Sequence, residues 1–293
     1  MAKEPIRHHY IPQFILRNFA CVSEKQKVFY CDKESRIISE RDIRDIFMER
    51  NLYRDEINYE DNPTQIEKDL SVYEREISEL IKGKFLSGRK IELTRDEEEK
   101  LKLFFAIMSF RGISTKEQFG GKISNDSKAF YKSFQPNEDF EDFWKRNLGY
   151  LVKCRSMEEV FNHTEIDTPI KIFMQRDVNG LVGKYIIVVE PKEGDGFILG
   201  DCYPVSMSGD SIPMYDVFPI SPNRALMLAC VGVDSTPRHV LTLRPGVFDL
   251  PKTNDEGQIV ITTKKLYLEE VQYLNTEIEK HSHKGFVFKK ANV

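Results

Sequence analysis

The chain has 293 residues, of which 40% are hydrophobic and 31% charged, a balance that is typical of a globular protein and too apolar for a disordered one. Its formal net charge of −4 gives no basic surplus, so any contact with nucleic acid must use a local patch. The five cysteines form no CxxC pair and no apolar run could span a bilayer, which predicts a reduced, cytoplasmic protein without a membrane anchor.

The first 60 residues contain a polar motif followed by a small hairpin. The motif covers residues 8–19, and Pro12 suits the first turn of a short helix. Residues 27–31 and 36–39 alternate in the manner of strands on either side of a four-residue turn. They therefore predict a β-hairpin.

Residues 61–165 predict a helical layer. Apolar residues at steps of three and four outline three helices: Ile66, Leu70, Tyr73, Ile77 with Leu80 or Ile81; Leu101, Phe104, Phe105 and Met108; Phe140, Phe143, Trp144, Leu148 and Leu151. Two capping boxes, Thr64 with Glu67 and Thr94 with Glu97, are expected to begin the first two helices. Each cap contributes on the order of 1 kcal/mol. Ser156 is expected to cap a short fourth helix.

Residues 166–293 predict a β-rich part with a C-terminal helix. Ile170, Ile172 and Met174 alternate as in a strand, and the Asn179-Gly180 pair is a strong turn signal. Further strands are expected over 185–190, 197–199, 217–220, 225–231, 240–243, 258–262 and 286–288. The apolar face of the last helix contains Tyr267, Val271, Leu274 and Ile278.

These three parts predict an α+β fold. It consists of an N-terminal motif and small hairpin, a central helical layer, and a C-terminal antiparallel or mixed sheet with a final helix. No Pro/Ser-rich linker interrupts the chain, so residues 1–293 are expected to form a single composite domain. Residues 120–137 are expected to be a surface loop.

The opening motif at residues 8–19 reads HHYIPQFILRNF, and it resembles the signature with which members of domain-of-unknown-function family 4238 begin, His-Tyr-x-Pro-Gln-Phe-x-Leu-Arg-x-Phe. Shorter similarities follow at 51–53, 66–74, 104–111, 197–201, 218–222 and 274–275. The chain departs from the family's Ser-Asp-Asn-Pro at 200–204, which read GDCYP, and from a common Gln at Met108. The resemblance implies the fold and the domain limits, and it brings no established activity.

Candidate site residues must be argued individually, because the standard nucleotide-binding, zincin and esterase motifs do not occur. The first candidates are His8, His9 and Gln13, since a histidine can act as metal ligand or general acid/base near neutral pH. Alternatively, His9 caps a helix or hydrogen-bonds in the core while His8 faces solvent.

Asp201 is the next candidate, because a rigid strand that ends just before it can aim a carboxylate into a cleft. Equally, Asp201 could accept local backbone N–H groups in an Asx-turn. Glu67 and Glu74 lie seven residues apart and hence on nearly the same helix face. His9, Glu74 and Asp201, with Glu67 nearby, would suit Mg²⁺ or Mn²⁺. The alternatives are that Glu67 completes the capping box and that Glu74 is solvated or pairs with an arginine.

Three further features are weaker. Asp177 followed by Glu190-Pro191-Lys192 resembles a metal-dependent nuclease pattern, but such short strings often occur by chance. Arg111 could contact phosphates, although a buried stem paired with a helix carboxylate is the commoner arrangement. Asn275 is a candidate structural hydrogen-bonding residue.

Two functions are compatible with these residues. The first is a metal-dependent nuclease or related phosphodiester hydrolase, in microbial defence or conflict, with His8, His9, Gln13 and Asp201 as catalytic residues. The second is a non-catalytic module that binds a ligand or a partner protein. In that case His8, His9, Gln13 and Asn275 would hold the N-terminus on the last helix. The polar, histidine-rich motif favours the first.

Overall fold

The computed structural model describes residues 6–21, 26–119, 138–179, 183–194, 196–208, 213–233 and 243–289. Helices and mostly antiparallel sheets occupy these ranges, which confirms the predicted α+β class. The expected loop at 120–137, the glycine of the Asn179-Gly180 turn and most of the expected strand at 240–243 lie outside the described residues.

Most helices form where capping residues and apolar spacing predict them, but the helix at 113–119 was not predicted and the helix at 168–179 occupies residues expected to form a strand. The helices are α1 (Gln13–Arg17), α2 (Gln65–Leu80), α3 (Arg95–Arg111), α4 (Ile113–Phe119), α5 (Phe140–Leu151), α6 (Met157–Asn162), α7 (Thr168–Asn179) and α8 (Leu268–His281). At α3 the predicted capping box is confirmed, because Thr94 Oγ1 accepts from the Glu97 N–H at 3.2 Å and Glu97 accepts from the Thr94 N–H at 2.9 Å. The predicted Ser156 cap on α6 is also formed.

Four sheets are present in the described ranges. The two-stranded sheet pairs β1 (Arg7–His9) with β4 (Met48–Arg50). The four-stranded sheet comprises β2 (Lys27–Asp32), β3 (Ile38–Asp42), β7 (Leu199–Gly200) and β14 (Gly285–Phe288) in the order β3-β2-β14-β7. The predicted hairpin is confirmed as β2 and β3, and the closing strand pairs with both β2 and β7.

The remaining two sheets form most of the C-terminal part. The three-stranded sheet comprises β5 (Lys90–Leu93), β11 (Lys252–Thr253) and β12 (Ile259–Thr262) in the order β11-β12-β5. The five-stranded sheet comprises β6 (Lys184–Pro191), β8 (Val205–Ser208), β9 (Pro213–Ser221), β10 (Arg224–Cys230) and β13 (Lys264–Leu266) in the order β13-β6-β10-β9-β8. Since β13 runs parallel to β6, this sheet is mixed.

The strand predicted from Ile170 is wrong, because these residues belong to helix α7. Ile170, Met174 and Val178 are buried at four-residue intervals, whereas Ile172 is 63% exposed. A helical period therefore describes the burial better than alternation does. Pro169 occupies the first turn of the helix, where its missing N–H costs no hydrogen bond.

The capping box predicted at Thr64 is also wrong. Thr64 has φ −100° and ψ 16°, which is not the extended conformation of a capping residue, and its side chain caps nothing. Its hydroxyl donates to Asn62 Oδ1 at 3.4 Å instead. The carboxyl group of Glu67 is therefore not used to cap α2.

One hydrophobic cluster contains residues from all three parts of the chain, including Ile15, Trp144 and Val287. A second cluster lies between the five-stranded sheet and α8, with Val189 and Leu274 among its members. The N-terminal motif is thus packed against both the helical layer and the sheets. None of the described helices has the length and apolar character required to cross a membrane.

Candidate functional site

His8 is a buried structural residue. Its Nδ1 accepts a hydrogen bond from the backbone N–H of Tyr53 at 2.8 Å. The imidazole lies nearly parallel to the Tyr53 ring, with 5.6 Å between the ring centroids. The interpretation in which His8 faces solvent is therefore wrong.

His9 belongs to a chain of hydrogen bonds on the opposite side of β1. Its Nε2 lies 3.0 Å from the carbonyl oxygen of Ile43, and its Nδ1 lies 3.3 Å from the side-chain amide of Gln13, whose oxygen accepts from Arg17 at 3.0 Å. These partners require the proton on Nε2. Burial, followed by the positive charges of Arg111 and Arg17, lowers the pKa of His9 from 6.5 to about 4, although the bond to Ile43 opposes this shift. The ring is therefore neutral at physiological pH.

Arg111 joins the motif to two helices. Its guanidinium is 1% exposed and donates to Glu74 Oε1 at 2.6 Å, to the His9 carbonyl at 2.6 Å and to the Tyr10 carbonyl at 3.2 Å. The pairing of Arg111 with a helix carboxylate, one of the predicted alternatives, is thus formed. A single cation satisfies acceptors from β1, from the residue after it, and from α2.

Glu67 differs from its neighbour Glu74 in having no hydrogen bond to its carboxyl group from any described residue; the bond from Ser71 reaches its backbone oxygen. Burial is the main cause that raises the pKa of Glu67 from 4.5 to about 8, and repulsion by Glu74 adds to it. The positive charge of Arg111 opposes the shift in part. At neutral pH, Glu67 is therefore largely protonated, whereas Glu74 is held in an ion pair.

Glu67 borders a cleft of about 360 Å³ between α1 and α2, which we call the α2 cleft. Its charged and polar walls are formed by His9, Gln13, Arg17, Glu67, Ser71, Glu74, Arg75, Ser78, Glu79 and Lys82. Arg17, Arg75 and Lys82 make no ion pair with a described residue, and the Glu79 carboxylate is the unpaired anion that opposes them. The surplus of positive charge favours an anionic ligand.

Asp201 lies in a different pocket. Its two carboxylate oxygens accept from the backbone N–H groups of His283 and Lys284, both at 2.7 Å. These partners are distant in sequence, so the local Asx-turn interpretation is wrong. Burial raises the pKa of Asp201, and the two N–H groups hold it down in part. Asp201 borders a pocket of about 180 Å³, which we call the Asp201 pocket.

The other candidates do not converge on the α2 cleft. Asn275 accepts from the Ile198 N–H at 3.1 Å and donates to the Gly196 carbonyl at 2.8 Å, so it links α8 to the segment before β7 and not to the N-terminus. In the nuclease-like string, Glu190 pairs with Arg224 and Lys265. These residues have structural partners of their own.

A three-residue metal centre is not formed by the predicted ligands. Both ring nitrogens of His9 have partners, Glu74 is paired with Arg111, and Asp201 belongs to the other pocket. Across the described ranges, no group of three or more His, Cys, Asp or Glu side chains is placed to hold a metal ion.

Sequence reasoning missed Arg17, Arg75 and Lys82 as cleft residues. A signal for the last two was available, because residues 67, 71, 74, 75, 78 and 82 recur at steps of one, three and four, which places them on one face of a helix. This polar face lies beside the apolar stripe of α2. For Arg17, the signal was its position four residues after Gln13.

The fold and the cleft together define an α+β protein with a polar, anion-attracting groove between its N-terminal motif and its helical layer. The family model described as "Protein of unknown function (DUF4238)" matches residues 7–291, and the chain therefore belongs to this family. Comparison with curated proteins and with solved structures found no match.

Proposed function

We propose that the protein is a phosphodiester hydrolase that acts on nucleic acid, with the α2 cleft as its active site. The observation that carries the proposal is Glu67, an acid that retains its proton near neutral pH and whose carboxyl group has no hydrogen-bond partner among the described residues. Perturbed acids in clefts are characteristic of catalytic sites. Arg17, Arg75 and Lys82 supply the attraction for a phosphate anion.

The two carboxyl groups of α2 suit opposite roles. Glu67 donates its proton to the leaving oxygen as the P–O bond breaks, and Glu74 accepts the proton of the attacking water. Two acids in contrasting environments, here one protonated and one paired with an arginine, are a common basis for such a division. Arg111 keeps Glu74 in place, and the neutral His9 with Gln13 holds the α1 wall of the cleft.

Mg²⁺ or Mn²⁺ was expected from the sequence, but His9, Glu74 and Asp201 do not fit a common ion in this structure. The steps proposed above use side chains alone. Hydrolysis is therefore expected to persist in EDTA, and an absolute requirement for added Mg²⁺ or Mn²⁺ would contradict this mechanism.

A non-catalytic binding module is the second candidate. It is favoured by the hydrogen-bond chain from Arg17 through Gln13 and His9 to Ile43, which engages most of the polar atoms of the motif. In that case the cleft binds an anionic nucleic acid or an acidic protein segment and releases it unchanged. Measuring binding and turnover on the same variants separates the two.

The decisive experiment measures hydrolysis of a labelled single-stranded oligonucleotide, whose leaving sugar oxygen requires a proton, by wild type and Glu67→Gln. Loss of a general acid is expected to reduce the rate by about 10²–10⁴-fold. The wild-type rate should also fall above about pH 8 as Glu67 loses its proton. The matched control is Glu79→Gln, an exposed glutamate on the same helix and in the same cleft.

Equal rates in wild type and Glu67→Gln would contradict the proposed mechanism. Binding of the oligonucleotide without turnover in wild type would favour the second candidate. Circular dichroism melting of each variant shows whether a lost rate reflects lost folding.

A further inference from the structure

A hydroxyl–imidazole pair that the proposed function does not use lies beside the Asp201 pocket. Ser114, the second residue of α4, borders the pocket, and its Oγ lies 2.8 Å from Nε2 of His283. His283 lies in the turn between α8 and β14. A serine hydroxyl within hydrogen-bond reach of an imidazole is the arrangement that activates serine as a nucleophile.

The position of His283 is fixed by its backbone. Asp201 accepts from the N–H groups of both His283 and Lys284, so the turn is fastened to the end of β7. The turn packs closely against the end of β7, because a Cβ on Gly200 would collide with Ser282. The imidazole is therefore brought to Ser114 by a tightly packed turn, and precise placement of this kind is what a catalytic base requires.

A second observation points to a ligand in the same pocket. Tyr203 borders it and is 6% exposed, and its buried hydroxyl has no hydrogen-bond partner among the residues that the structure describes. Buried polar groups are nearly always bonded, so an unbonded one suggests a place for a ligand oxygen. Tyrosine hydroxyls are among the donors that stabilise the oxyanion of an acyl-transfer intermediate.

The size and walls of the pocket limit its substrate. Its volume of about 180 Å³ is below the roughly 300–1,000 Å³ of sites for drug-sized ligands. Ile11, Ile113 and Phe173 give it an apolar part beside the polar groups. A short, apolar acyl chain fits these dimensions better than a sugar or a nucleotide.

We propose that the Asp201 pocket hydrolyses short-chain carboxylic esters, with Ser114 as nucleophile and His283 as general base. Ser114 Oγ bonds to the carbonyl carbon while its proton passes to His283 Nε2. The bond from that carbon to the leaving alcohol oxygen then breaks, and His283 returns the proton to the alcohol. Water attacks the acyl-serine with His283 again as base, which releases the carboxylic acid and restores Ser114.

The test uses the full-length protein with a fluorophosphonate probe, followed by intact-protein mass spectrometry and peptide mapping. The expected result is a single adduct on Ser114. Hydrolysis of p-nitrophenyl acetate is expected to exceed that of the decanoate ester, and to fall by at least 100-fold in Ser114→Ala. His283→Gln should show a similar loss, whereas His281→Gln, an exposed histidine two residues earlier, should behave as wild type.

The proposal is overturned if wild type forms no adduct on Ser114. It is also overturned if Ser114→Ala hydrolyses the acetate ester at the wild-type rate, or if only Cys202→Ala abolishes the reaction. Since His283 is exposed, His283→Gln keeps the test valid should Ser114→Ala fold poorly. Melting temperatures of both variants identify that case.

Discussion

Glu67 and Asp201 are the same chemical group in two contrasting surroundings. Burial raises the pKa of both. The Asp201 carboxylate accepts from two backbone N–H groups at 2.7 Å, which favour its charged form, whereas the Glu67 carboxyl group accepts from no described residue and is repelled by Glu74. The pKa of Glu67 accordingly rises to about 8.

The contrast shows that two acids with pKa values raised by burial can still differ in role, because one has hydrogen-bond donors and the other has none among the described residues. Asp201 is occupied in holding the turn at 283–284, so its contribution is to structure. Glu67 keeps both oxygens available at the edge of the α2 cleft, so its contribution can be chemical. Each prediction below tests one side of this comparison.

The largest effect is expected for Arg111→Met. The change leaves Glu74 and the carbonyls of His9 and Tyr10 without their shared buried partner. Breaking a buried pair from one side costs about 3–5 kcal/mol, and a loss near 4 kcal/mol is expected in urea unfolding. Arg75→Met, an exposed arginine of the same cleft, is the control and should change stability by less than about 0.5 kcal/mol. Similar losses for the two variants would mean that Arg111 does not organise the cleft.

The second prediction concerns the pH dependence of stability through Glu67. Its pKa is about 8 in the folded state and near 4.5 when unfolded, so the unfolded chain ionises first as pH rises. The contribution of Glu67 to the free energy of unfolding is therefore complete below pH 4.5. Between pH 4.5 and pH 8 it falls by up to about 1.4 kcal/mol per pH unit. Glu67→Gln removes this loss. At pH 8 the variant should be more stable than wild type by about 3 kcal/mol, which is less than the whole pKa shift of Glu67 would give because this side chain is partly exposed to the cleft.

Urea unfolding of wild type and Glu67→Gln at several pH values between 5 and 8 measures this difference. If the two stability curves run parallel, Glu67 titrates in the folded protein as it does in the unfolded chain. The contrast with Asp201 would then disappear.

Asp201→Asn tests the structural role assigned to Asp201 in this comparison. The amide has only one acceptor oxygen, so one of the N–H groups of His283 and Lys284 loses its partner. A loss of about 2 kcal/mol is expected from urea unfolding at pH 7. Asp249→Asn, which removes an exposed carboxylate paired with Lys264, should have little effect. An equally small change for Asp201→Asn would show that the turn at 283–284 is held by other contacts.

Local patterns predicted local structure well. The Thr94 box and the β2–β3 hairpin depend on neighbouring residues, and both were found. The α8 stripe was found at Val271, Leu274 and Ile278 but not at Tyr267, which precedes the helix and is 43% exposed. The error at α7 had a local cause as well, because three apolar residues at alternate positions fit a short strand, while residues 170, 174 and 178 form the longer helical period.

The sites depend on contacts that no local pattern contains. Arg111 reaches carbonyls about 100 residues earlier in the chain, and Asp201 accepts N–H groups more than 80 residues later. The sequence therefore identified Glu67, Glu74 and Asp201 as acids of interest but grouped them incorrectly. The helical spacing already placed Glu67 and Glu74 on one face, but only tertiary packing shows that Asp201 belongs to a different pocket.

The smallest expected effect compares the two threonines that the sequence treats alike. Thr94 caps α3, so Thr94→Ala should cost about 1 kcal/mol in urea unfolding. Thr64 caps nothing, so Thr64→Ala should cost less than half as much, the residual being its weak bond to Asn62. If Thr64→Ala proved as costly as Thr94→Ala, the box at α2 would form in solution and draw the Glu67 carboxyl to the backbone of Thr64. Glu67 would then have a donor, as Asp201 does, and its proton would no longer be available to the α2 cleft.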